Sequence, residues 1–103
     1  MILDLTVFEE ETLDIKLAQD RVVHVRKPSQ RMVIEMLKLK DLKAGDEQEA
    51  LKQINQMVCK ILNDNTDGVT FTQADVQSLA IKSKSAIVTA YSKFAAEIQA
   101  NPT

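Results

Sequence analysis

A chain of 103 residues has room for one hydrophobic core, so residues 1–103 read as a single domain. With 45% hydrophobic and 27% charged residues the composition is that of an ordinary globular protein and not of a disordered chain. A formal net charge of −2 supplies no basic excess against a phosphate backbone, which argues against nucleic acid as the main partner.

The charges are nevertheless segregated. Residues 1–20 set Asp4, Glu9, Glu10, Glu11, Asp14 and Asp20 against Lys16 alone. Residues 21–43 set Arg21, Arg26, Lys27, Arg31, Lys38, Lys40 and Lys43 against Glu35 and Asp41. Either the two blocks neutralise each other within one molecule, or copies meet head to tail as a ring or helical array. No leader and no membrane span are expected, because every apolar run is short. A single cysteine, Cys59, has no partner for an internal disulfide.

In chain order, Leu13, Ile15 and Leu17 alternate with polar residues, and Val22-Val23-His24-Val25 is rich in β-branched side chains. These runs predict an antiparallel β-hairpin across Ala18-Gln19-Asp20. Ile2 to Phe8 is a candidate third strand, with Glu9-Glu10-Glu11 as a solvated loop. Lys27-Pro28 ends the strand region, and Ser29 is placed to cap a helix running from Gln30 to Lys43. On that helix Met32, Val33, Met36, Leu37 and Leu39 share an arc of roughly 160°, leaving Ile34 and Leu42 outside it.

Ala44-Gly45 stops this helix, and Asp46-x-x-Glu49 opens a second, from Glu47 to Asn63. Leu51, Ile54, Val58, Ile61 and Leu62 form its apolar stripe, with Met57 at the edge and Cys59 off it. Beyond the polar run 63–68, Thr72-x-x-Asp75 starts a short helix from Gln73 to Ala80, with Val76 and Leu79 inward. Ser83 is read as the cap of a last helix, Lys84 to Ala100, whose face is Ile87, Tyr91, Phe94 and Ile98. The expected fold is therefore α+β, mainly α: an N-terminal hairpin, with a candidate third strand, packed on about four helices.

Chemical motifs are weak. Asn63, Asn65, Asp67 and Gly68 imitate positions 1, 3, 5 and 6 of a calcium loop, but position 12, where a bidentate Glu belongs, is Ala74. A helix-terminal turn explains the same residues better. His24, the single histidine, has no cysteine near it for zinc and no serine or cysteine nucleophile to serve. No glycine-rich phosphate loop is present, since Gly45 and Gly68 stand far apart. The second helix opens on Asp46, Glu47 and Glu49, which phosphate would repel, so a helix-turn-helix reader of DNA is disfavoured. The expectation is a binding protein without catalytic residues, metal or cofactor.

Four segments, in order, resemble one family. They are Arg26-Lys27-Pro28-Ser29 leading into the run from Met32 to Leu39, Ile61-Leu62-Asn63-Asp64-Asn65 followed by Gly68, Ala90-Tyr91-Ser92-Lys93-Phe94, and Asn101-Pro102. This layout is similar to the small tail-assembly chaperones of siphophages and prophages of Gram-positive bacteria, and it spans nearly the whole chain. The resemblance implies a protein that coats the tape-measure protein in the host bacterial cytoplasm. It would keep that protein soluble until the major tail protein polymerises, and be absent from the finished virion. The other reading is a small helical regulatory or protein-interaction module of phage origin. A helical client needs an apolar surface, and Met32, Ile34, Met36 and Leu42 are the candidate residues, with methionine suited to irregular partners. The plain alternative is that these four complete the chain's own core.

Overall fold

In the computed structural model, residues 2–3, 11–39 and 47–100 are described, with 19 and 97–100 described by backbone alone. The elements are strands β1 (Thr12–Lys16) and β2 (Val22–Arg26) and helices α1 (Gln30–Leu39), α2 (Glu47–Asn63), α3 (Gln73–Gln77) and α4 (Ile81–Ala100). The fold is α+β and mainly α, as the patterning predicts. The candidate strand at 2–8 and the Glu9-Glu10 part of its loop lie largely outside the described residues. So do the Ala44-Gly45 stop, the Asp46 cap and Leu42.

β1 and β2 pair antiparallel, with Leu13 opposite Val25 and Ile15 opposite Val23. Opposed residues share a face, so these four form the inward side of the hairpin. The three-residue turn Ala18–Asp20 ends on Asp20 in the left-handed region, φ 58°. An aspartate tolerates that backbone better than a branched residue would, and it turns the chain into β2. Leu17 N–H donates to the Arg21 carbonyl at 2.6 Å and closes the hairpin.

A two-stranded hairpin is marginal alone. Here a third segment holds it. Beyond the end of α2, Asp64 to Thr66 runs along the outer edge of β2. The Arg26 N–H donates to the Asp64 carbonyl at 2.8 Å, and the Thr66 N–H donates to the His24 carbonyl at 2.9 Å. Between them Asn65 bridges Val25 and is itself buried. Its Nδ2 donates to the Leu62 and Val69 carbonyls at 2.7 and 2.8 Å, while its Oδ1 accepts from the Asp67 and Val69 N–H groups. One amide thus satisfies four backbone groups of a tight loop, as turn chemistry requires.

The core lies between this sheet and the helices. α2 supplies Met57, Val58, Ile61 and Leu62, β2 supplies Val23 and Val25, and Phe71, Val76, Ile87, Tyr91 and Ala95 complete it. α1 contributes no fully buried residue; Met32, Met36 and Leu39 pack against the cluster from outside.

Several boundaries and burials differ from the expectation. Leu51 is exposed and Met57 is buried, so the stripe of α2 is displaced toward its C-terminal half, where the hairpin and the later helices converge. α3 ends at Gln77 rather than Ala80. α4 begins at Ile81, with Lys84 N–H donating to the Ala80 carbonyl, so Ser83 is an exposed position inside the helix and not its cap. The Ser29 cap does form, accepting from the Met32 N–H at 3.3 Å. Thr72 and Asp75 exchange both hydrogen bonds of a capping box.

Two buried polar groups stand out. Lys84 turns inward one turn before Ile87 and donates to Asn55 Oδ1 at 2.8 Å. The Tyr91 hydroxyl is buried and, among the described residues, has no hydrogen-bond partner. Burial pushes its pKa well up, with the Asp64 charge adding to the shift.

Two stability predictions follow from these groups. Asn65→Ala leaves several buried backbone groups unsatisfied and should destabilise the fold by about 2–4 kcal/mol. In a thermal melt this is a fall in Tm of at least about 10 °C for a chain of this size. Tyr91→Phe removes a desolvated hydroxyl without changing shape, so its Tm should stay level or rise, by an amount corresponding to about 1 kcal/mol at most. A large loss in that melt would show that the hydroxyl is bonded in solution.

Candidate protein-interaction surface

The surface of α1 follows from its position at the edge of the core. Met32, Met36 and Leu39 face inward, and the Met36 Sδ accepts from Ser92 Oγ at 3.6 Å. Glu35 sits half-buried beside α2 and pairs with Lys60 at 3.3 Å and with Lys38 at 3.9 Å. These contacts orient the helix about its axis. Ile34 and Leu37 are then left outward, 47% and 53% exposed. Three residues apart, they are neighbours on one helix face, with the exposed Arg31 and Lys38 nearby.

Of the four residues singled out in the sequence, Ile34 is therefore exposed, Met32 and Met36 are half-buried against the chain's own core, and Leu42 lies outside the described residues. Leu37, which the helical period puts inside the apolar arc, instead faces out. It stood at the arc's extreme, roughly 140° from Met32, and the inward direction lies between Met32, Met36 and Leu39. That offset was the available signal.

The oxygen-rich loop has its side chains committed elsewhere. Asn63 Oδ1 accepts from the Phe71 N–H at 2.7 Å, and Asn65 Oδ1 accepts from two backbone N–H groups. The Asp67 carboxylate accepts from His24 N–H at 2.7 Å and lies 3.0 Å from its Nδ1. These are the bonds of a folded turn docked on β2. Among the described residues no three His, Cys, Asp or Glu side chains converge as a metal-binding group. No described helix is long and apolar enough to cross a membrane.

His24 therefore has a partner that local sequence could not reveal, 43 residues away. Its pKa is raised, first by the hydrogen bond to Asp67 and then by the charges of Asp67 and Asp14. The Asp67 carboxyl is lowered, first by the backbone N–H of His24 and then by its ring. The segregated charge blocks meet at Lys27 and Glu11, 3.3 Å apart, and at His24 and Asp14, 3.9 Å apart. Arg26 instead pairs with Asp64 at 3.3 Å, and Lys16 with Asp20 at 3.1 Å. Among the described residues neutralisation is thus partly between the blocks, partly within them and partly with the loop after α2.

No protein-family model matches the chain, and no curated protein or solved structure matches it significantly.

The His24–Asp67 pair makes a pH prediction. A histidine raised above 6.5 contributes stability that is complete below that value and is lost as pH rises through its folded pKa. A carboxyl lowered below 3.8 contributes stability present above that value and lost as pH falls through its folded pKa. Their joint contribution is greatest between these two ordinary values. The Tm gap between wild type and Asp67→Asn should be wider at about pH 5.5 than at about pH 8.5. Equal gaps at the two pH values would rule the charged pair out.

Proposed function

We propose that this chain is a non-catalytic chaperone of phage tail assembly. It holds a tape-measure protein soluble in the host bacterial cytoplasm until the major tail protein polymerises, and it leaves no copy in the virion. The family reading rests on the resemblance in four ordered segments. The observation that carries the binding reading is the outward pair Ile34 and Leu37, on a helix that gives its own core no fully buried side chain.

Magnitudes favour reversible coating by many copies. Complete burial of one such side chain is worth about 1.5–3 kcal/mol, and each here is already half-buried. The pair can therefore add roughly 2 kcal/mol, less than the 4 kcal/mol or more that association costs in lost freedom. A single copy grips weakly through this pair. Copies lined up along a long helical client gain by avidity and still release one at a time. Arg31 and Lys38 beside the pair suit a client helix that carries acidic residues next to its apolar stripe.

The test is co-expression with the tape-measure protein encoded in the same genome neighbourhood, scored by the soluble, co-purifying fraction of that client. Wild type should raise it clearly, with several copies bound per client. Ile34→Asp with Leu37→Asp should abolish the rescue while leaving the melt within a few degrees of wild type, because both sites are exposed. Rescue by the folded double variant would remove α1 from the reading, and failure of wild type would remove the chaperone role.

A further inference from the structure

The two edges of the hairpin are not equivalent. On β2, His24 and Arg26 turn their backbone groups outward to the segment 64–66. In an antiparallel pair, residues opposed at such positions turn their N–H and C=O groups to opposite sides. Asp14 is opposite His24, and Thr12 is opposite Arg26. The backbone groups of Thr12, Asp14 and Lys16 therefore face the other edge of β1, and among the described residues no strand pairs there.

That edge borders a groove of about 430 Å³ between β1 and the first half of α4. Leu13, Ile15 and Leu17 line one wall and Ala86, Ile87 and Ala90 the other. The small alanines keep the helix from filling the space. Unpaired strand hydrogen-bonding groups beside an apolar trough specify an extended segment with aliphatic side chains at alternate positions.

The sequence carries that alternation. Leu3, Leu5 and Val7 alternate along Ile2 to Phe8, ahead of three glutamates. Seven extended residues span about 23 Å, enough to cover the roughly 17 Å of β1. In the single chain Ile2 and Leu3 are 92% and 75% exposed, so they do not occupy their own groove. We propose that the N-terminal arm of a second copy lies along the edge of β1 that no described strand pairs and places its leucines in this groove. Exchange of arms closes as a dimer if it is reciprocal and continues as a chain of copies if it is not. The inference uses neither α1 nor the tail-assembly reading, and each can fail alone.

The experiment uses the full chain and its full-length double variant Ile2→Asp, Leu3→Asp, whose substitutions fall on exposed positions and leave the fold intact. Light scattering from about 10 µM to about 1 mM should show wild type associating and the variant weakened by at least about tenfold. A fluorescent peptide of residues 1–9 should bind the variant, and Ala90→Leu, which fills the groove, should block it. Association that survives the arm substitutions, or a folded variant that does not take up the peptide, overturns the proposal. Peptide uptake by a wild type that stays monomeric also overturns it, since the occupant would then be the chain's own arm or a foreign strand.

Discussion

The fold depends on the docking of residues 64–67 against the outer edge of β2. The hairpin alone could not hold its shape in water. Two backbone hydrogen bonds, the buried Asn65 amide and the His24–Asp67 contact make it the neighbour of a third segment. The same docking fixes the end of α2, because Asn65 also bonds the Leu62 carbonyl in its last turn. Sheet and central helix are therefore positioned by a single loop. Val23 and Val25 then meet Val58, Ile61 and Leu62 as the centre of the core.

From that arrangement follows the unequal treatment of the helices. α2 lies closest to the docked loop and buries its C-terminal half, which is why Met57 is interior and Leu51 is not. α4 packs through Ile87, Tyr91 and Ala95, and carries Lys84 inward to the Asn55 amide. α1 is attached by three half-buried side chains and the Glu35–Lys60 ion pair, an interaction worth little where its groups reach solvent. A helix so placed retains apolar surface that the core does not consume.

Local signals were legible in the sequence and long-range ones were not. Alternation at Leu13 and Ile15, the Ser29 cap, the bounds of α2 and the Thr72–Asp75 box each depend on residues a few positions apart, and all are found. The turn chemistry of Asn63 and Asn65 was likewise readable, because those amides bond backbone within eight residues. His24 looked solitary since its partner is 43 residues distant. Lys84 marks the expected start of the last helix, yet it falls three residues before Ile87 on the inward face and is buried. Ser83 misled because a serine ahead of an apolar run has the composition of a cap, yet the Ala80 carbonyl had already begun the helix.

Sealing one edge of the hairpin has a consequence for the other. Among the described residues the sheet has two strands and so two edges, and the loop after α2 covers one of them with backbone hydrogen bonds. Pairing demand is thereby concentrated on β1, whose outward residues Thr12, Asp14 and Lys16 are polar while its inward ones border the groove. Charges and sharp twists are the usual guards of an exposed edge. Asp14 and Lys16 supply the charge, but the apolar trough beside them rewards an approaching strand with burial as well as hydrogen bonds. Unwanted pairing is thus restrained by surface charge, while a segment with leucines at the right spacing gains from both terms. As proposed, selectivity at this edge would come from side-chain alternation, and at α1 from two outward aliphatic residues beside basic ones. Both are physical bases for recognising protein surfaces, placed on opposite ends of the chain's patterning: period two at the strand, period 3.6 at the helix.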